Sequence, residues 1–420
     1  MSTLAPSRRG FIMGCSAAIA AMSGATLSHL AFVDPVDAAG TESDTLIVIF
    51  LRGAWDALNV VMPIDGPDRG YYEAARPHIK IPTSGKNAAL PLDGRFGFHP
   101  AMAPLWELYK QGHLGIVHAV GMTDATRSHF DAQQYIEAGT PGKRTTPSGW
   151  ITRYLENMPT QSLLVPALAT GGSVPLSLLG STKVVAMTQP SDYRLPGDDT
   201  MGRLIHGLYE GDTWLHGAGR RALHSVDTLS RFGLHPYKPA PGVTYPDGQL
   251  TTALQTVAQL LKAGLTMRVA TIDVGGWDTH QFEGDAGEGY FATLLGELAQ
   301  GLAAFYTDLY AAHLSGRVTV LAISEFGRRL NQNESGGTDH GHGSVMLLLG
   351  GESIKGGKVY GNWPGLRNDQ LFDRADLAVT TDYRQVISEL LLNRMSAHNL
   401  DIIFPGFKPG TPLGLSRPLA

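Results

Sequence analysis

Cysteine is almost absent from this chain of 420 residues, Cys15 being the only one. No disulfide can close within it, and past residue 15 thiolate metal sites and cysteine nucleophiles are excluded. Any metal must be held by oxygen and imidazole. Charge is also scarce: Lys and Arg number 33 against 38 Asp and Glu, a net charge of -5, with charged residues at 17%. No basic field exists to recruit nucleic acid or an anionic lipid surface, and both are excluded as partners. Internal repeats and low-complexity tracts are missing too.

Long apolar runs are equally rare, and the most suggestive lies at the start. Ser7, Arg8 and Arg9 precede an apolar stretch from Gly10 through Ala21 that is interrupted by Gly14, Cys15 and Ser16. It is too short and too weakly apolar for a stable membrane span. An arginine pair before such a run reads as a twin-arginine export signal, with an ordinary buried helix as the alternative. Val36, Asp37, Ala38 and Ala39 follow Pro35 and offer the small residues that cleavage needs. The expectation is a signal over residues 1–38, export to the periplasm or beyond, and no membrane span after cleavage.

What is abundant is the alternation of an α/β protein. Thr45 to Leu51 (TLIVIFL) is a continuous, β-branched apolar run, as expected of a strand buried on both faces of a parallel sheet. Further strands are expected over 114–120, 267–274, 317–324 and 344–349, with helices over 104–110, 131–138, from 249, and over 291–314. The prediction is a doubly wound, mainly parallel sheet with helices on both faces. Residues from about 150 to 240 are rich in Gly, Pro and Ser and read as a peripheral cap or insertion on a single domain spanning 39–420; two domains fit the length as well.

Polar clusters gather beside these strands, where ligands bind in open α/β sheets. The first holds Arg52, Asp56 and Asn59: Arg52 could grip an anion, or could simply pair with Asp56. Another runs Thr126, Arg127, Ser128, His129. There a helix cap with His129 on the surface is the plain reading, and compatible with it the hydroxyl of Ser128 or Thr126 could attack an anion bound at the helix start. In the third, Asp278 and His280 lie two apart after the glycines 275 and 276, able to present oxygen and nitrogen on one side. The fourth comprises Ser324, Glu325, Phe326 and Gly327, then Asp339, His340 and His342 among glycines 336, 337, 341 and 343. Two Asp and His groupings suit a divalent metal; a hydrogen-bonded network fixing long loops is the plainer alternative.

The motifs GGWDTH (275–280), SEFGR (324–328) and GGTDHG (336–341), with Gly356, Gly357 and Thr381 to Arg384, resemble the exported domain-of-unknown-function 1501 family, and the resemblance runs in order over residues 44 to 406. That family is in turn similar to the alkaline phosphatase and sulfatase superfamily. The resemblance implies one or two divalent metals (Zn, Mn, Mg or Ca), no organic cofactor, and hydrolysis of an anionic phosphate or sulfate ester. It implies Asp278, His280, Asp339 and His340 or His342 as metal ligands, and Ser128, Arg52, Asp56 and Glu325 as catalytic candidates. Two departures stand out. Arg52 occupies the place of the superfamily's first-strand acid unless Asp56 replaces it, and Phe326 replaces a ligating histidine. A noncatalytic scaffold serving a ligand or other exported proteins is the second expectation.

Overall fold

Thr45–Leu51 is buried at every position, and its residues alternate between two cores. Ile47, Ile49 and Leu51 pack on one side with the helices Ala103–Lys110, Gln249–Lys262 and Tyr290–Ala311. Leu46, Val48 and Phe50 pack on the other with His129–Ala138, Trp150–Glu156 and Tyr383–Arg394. A strand apolar on both faces has to be covered on both, which is why the run contains no polar alternation. In the computed structural model the described residues are 44–419 apart from 145, 159–162, 164, 193–194, 196–198 and 233–235. The expected signal at 1–38, including Cys15, lies outside them.

The strands in chain order are β1 (Thr45–Leu51), β2 (Val61–Pro63), β3 (Leu90–Pro91), β4 (Phe96–Phe98), β5 (Leu114–Gly121), β6 (Ala167–Ala169) and β7 (Val184–Ala186). They continue with β8 (Val269–Val274), β9 (Val318–Ile323), β10 (Arg328–Gln332), β11 (Thr338–His340), β12 (Ser344–Leu349), β13 (Lys358–Tyr360) and β14 (Thr381–Asp382). The central sheet is nine-stranded, in the order β13-β5-β12-β9-β1-β8-β6-β7, with β14 also on β5. Every pairing in it is parallel except those of β12, which runs against both β5 and β9. The expected α/β sheet with helices on both faces is what forms. Part of the stretch read as a cap is sheet instead: β6 and β7 extend the β8 edge.

The reversal of β12 positions the site. β1, β5, β8 and β9 all end at one edge, and β12 begins there, with Ser344 opposite Val120. The cluster ending at Gly343 therefore reaches that edge by preceding its strand, whereas the other clusters follow theirs. β10 and β11 form a short antiparallel ribbon in this region. Among the described residues no helix is long and apolar enough to cross a membrane.

Two core histidines make the fold acid-sensitive. His118 accepts from the Ala119 amide through Nδ1 at 2.9 Å, and its Nε2 lies 2.8 Å from the Val61 carbonyl, so the buried ring is satisfied only when neutral. Burial lowers His118 to about 4, and His99 likewise to about 4. Unfolded histidine titrates near 6.5, so between these values the unfolded chain binds more protons. Stability is expected to be intact above about pH 6.5 and to fall as pH drops towards 4. Urea midpoints measured across that interval check this, and a flat profile would contradict it.

Candidate metal site

Three imidazoles meet at the sheet edge, each from a different loop. His129 opens the helix after β5, which starts two residues earlier than the sequence suggested because Ser128 serves as its N-cap. His280 follows β8, and His340 ends β11. Their Nε2 atoms lie 3.5, 3.2 and 3.4 Å from one oxygen, Asp278 Oδ1. His280 Nε2 and His340 Nε2 are 2.8 Å apart.

Each ring is oriented through its other nitrogen. Nδ1 of His129 lies 2.8 Å from Glu325 Oε1, that of His280 3.4 Å from Asp339 Oδ1, and that of His340 2.8 Å from the Arg127 carbonyl. All three partners are acceptors, so each Nδ1 carries the proton and each neutral ring turns a lone pair inward at Nε2. Two lone pairs at 2.8 Å repel unless a proton or a cation lies between them. His129 Nε2 is moreover buried without any hydrogen-bond partner. A tetrahedral ion about 2.0–2.1 Å from its ligands separates them by roughly 3.3 Å, close to the spacings around Asp278. His129, Asp278 and His340 offer ligand atoms that all lie within 4.8 Å of one another, a set that fits a divalent ion, with His280 beside it.

Electrostatics agree with this assignment. Burial would raise Asp278, but the hydrogen bond and charge of Arg328 hold its carboxyl below the usual range. Glu325, completely buried, is likewise held ionised against its burial by donation from His129, Gln133 and the Gly53 amide. The hydrogen bond to Glu325 raises His129. Burial lowers His340 and keeps it neutral. The donor hydrogen bond from Asn333 holds Asp339 below the usual carboxylate range.

The loops are brought together by close backbone approach and by one arginine. A Cβ at Gly53 would stand 2.4 Å from the Asp278 amide nitrogen, and φ there is 124°, so only glycine lets the first loop reach the third. Arg328, buried, donates to the carbonyls of Gly53, Ala54 and Thr338 at 2.6 Å each, and also to Asp278. Phe326 cannot ligate, but it stacks on His129 with centroids 5.1 Å apart and tilts against His340 at the same distance, forming a floor for both rings.

Asp278, His280, Asp339 and His340 thus come together as the sequence suggested, with Asp339 behind His280. Other expectations are corrected. His342 is buried and stacked on Phe372 at 4.1 Å, outside the cluster, because its backbone carbonyl is turned to pair with Gly327. Asp56 is buried and pairs with Arg76, not with Arg52, so it cannot replace a strand-end ligand. Arg52 spends its guanidinium on Gln133, Glu137 and Asp273, at 3.0, 3.2 and 2.9 Å, and has no free edge for an anion. Ser128 Oγ caps the Asp131 amide at 3.5 Å. Glu325 is sealed from solvent and orients His129, so it does not face a substrate. The residue that sequence reasoning missed as a ligand is His129; the usable signal was Gln133 four residues on, which shares its helix face and also reaches Glu325 at 2.8 Å.

No curated protein matches this chain by sequence. Among solved structures it is similar to Ps i-CgsB in complex with k-i-k-neocarrahexaose, at 10% identity and TM-score 0.37 over 76% of this chain and 68% of that one. It is also similar to a protein in the alkaline phosphatase superfamily from Vibrio parahaemolyticus, at 11% identity and TM-score 0.35 over 82% and 69%. A third is the PsFucS1 sulfatase from Pseudoalteromonas sp., at 10% identity and TM-score 0.34 over 83% and 68%. Chemistry has to be read from the site itself. Residues 227–398, which include Asp278, His280, Asp339 and His340, match the family described as Protein of unknown function (DUF1501).

Proposed function

We propose that this chain is an exported metal-dependent hydrolase of phosphate or sulfate esters. The observation that carries the reading is the convergence of three Nε2 atoms on Asp278 Oδ1, one of them buried and unpartnered. His129, His340 and Asp278 would hold one ion, with His280 beside them, and two imidazoles with one carboxylate suit zinc better than magnesium or calcium. When bound, such an ion supplies Lewis acidity and lowers the pKa of water. Glu325, Asp339 and the Arg127 carbonyl keep the Nδ1 protons in place, so the ligating nitrogens stay inward. Asp278 and His280 are 47% and 41% exposed at their side chains, which leaves the site open to an incoming ester. The attacking group in this reading is water or the Ser128 hydroxyl, whose oxygen accepts from the Asp131 amide at 3.5 Å. The ester class rests on the resemblance of the motifs to the alkaline phosphatase and sulfatase superfamily.

Elemental analysis of protein purified from the periplasm is expected to find about one divalent ion per chain, as a single three-ligand site allows. Aryl phosphates or aryl sulfates should be hydrolysed, and chelation should stop the reaction. Arg52, saturated by two acids, favours a second reading, a noncatalytic scaffold for a ligand or other exported proteins. Native protein free of metal and inert to both ester classes would select it. For export, Arg8→Lys with Arg9→Lys is expected to strand the precursor in the cytoplasm; unchanged secretion of that double variant would refute the twin-arginine route.

A further inference from the structure

Behind the imidazoles lies a buried polar block that no ligand assignment requires. Thr279 stands between Asp278 and His280, and Thr338 immediately precedes Asp339 and His340. Both hydroxyls donate to the same atom, Glu283 Oε2, at 3.3 and 3.2 Å. The two loops also touch directly, the Thr338 amide donating to the Thr279 carbonyl at 3.1 Å. Glu283 Oε1 accepts from Asn59 Nδ2 at 3.0 Å, and Asn59 in turn accepts from the Tyr72 hydroxyl at 2.6 Å. Next to them Arg76, paired with Asp56, donates to the carbonyls of Leu330 and Arg329 at 2.8 and 2.9 Å and so anchors β10.

We propose that Glu283 is a positioning residue: by holding Thr279 and Thr338 on one oxygen it sets the spacing of the loops that carry Asp278 with His280 and Asp339 with His340. The inference rests on the metal-site reading above and extends it to a residue that touches no ligand. A carboxyl group 2% exposed is costly to bury, and an apolar side chain of similar volume would fill the space at less cost. What a carboxyl adds is a single acceptor shared between two loops. Burial and the neighbouring Asp56 push Glu283 well above the ordinary carboxylate range.

The test compares Glu283→Ala, Glu283→Gln and the double variant Thr279→Val/Thr338→Val in the full-length protein. Thermal melts establish folding, zinc affinity is read by chelator competition, and the visible spectrum of the cobalt(II)-substituted protein reports site geometry. Glu283→Ala and the double valine variant are expected to bind zinc on the order of 10-fold more weakly, the lower end for partners outside the ligand shell, with a shifted cobalt spectrum. Glu283→Gln keeps one carbonyl oxygen for the threonine hydroxyls but sets its NH2 against Asn59 Nδ2, so it should recover part of the affinity and not all of it. A folded double valine variant with native affinity and a native spectrum would overturn the inference, and this variant decides if Glu283→Ala does not fold. Should the native chain take no zinc, the metal reading fails first. The ring nitrogen shifts of His280 and His340 then decide: movement in the double valine variant supports the clamp, and none overturns it.

Discussion

Replacing His129 with alanine is expected to empty the metal site while leaving the fold intact. His129 Nε2 makes no hydrogen bond, and the ring's contacts are Glu325 through Nδ1, Asp278 Oδ1 at 3.5 Å from Nε2, the stack on Phe326 and the edge of His340 at 4.2 Å. Folding therefore loses one charge-assisted bond and some packing, roughly 1.5–3 kcal/mol for the bond. Metal binding loses a ligand. Zinc affinity should drop by more than about 100-fold, beyond the 10–100-fold typical of outer-shell partners, and ester hydrolysis should go with it. Glu325→Gln separates the two roles. It keeps an acceptor near Nδ1 but gives up the carboxylate charge, and affinity should fall by about 10–100-fold. Competition titration on both variants, beside their melting curves, checks this. Native zinc content in His129→Ala would exclude that histidine from the site.

The second large effect concerns stability. Arg76 and Asp56 are both completely buried and paired, and Arg76 is what holds Asp56 below the ordinary carboxylate range against its burial. Arg76→Met removes the cation and leaves an uncompensated carboxylate beside Glu283. Breaking such a pair costs about 3–5 kcal/mol. At about 2–4 °C per kcal/mol for a large domain, Tm should fall by roughly 6–20 °C. Arg76→Met with Asp56→Leu should recover much of the loss, since two apolar groups leave no charge stranded. Calorimetry on the three proteins distinguishes the outcomes; a single variant melting within about 2 °C of native would show that the pair stabilises nothing.

Much of the framework was legible because buried parallel strands write themselves as unbroken apolar runs. TLIVIFL is β1, and SVMLLL is β12 to the residue. The other long strands were placed within two residues of their observed ends, while the helix expected over 291–314 stops at Ala311. The direction of β12 was not legible, since an apolar run reads the same for either orientation; yet that reversal brings Asp339 and His340 to the edge where Asp278 and His280 lie. β6 and β7 were hidden because three-residue strands carry no periodicity.

Within the site, sequence alone determined the chemical vocabulary: no thiol after residue 15, aspartate and histidine beside strand ends, and glycines where loops must approach closely. It suggested Asp278, His280, Asp339 and His340 because short spacing and glycine are local signals. Pairing decided the rest, and pairing is nonlocal. Arg52 and Asp56 lie four apart yet find different partners, Asp273 across the sheet and Arg76 beneath the loops. His342 was suggested as a ligand within the same glycine-flanked grouping as His340, and His129 was not; yet His129 turns its Nε2 into the cluster while His342 stacks on Phe372. Which of two identical side chains becomes a ligand depends on the partner waiting at its second nitrogen, and only the folded sheet brings Glu325 to His129.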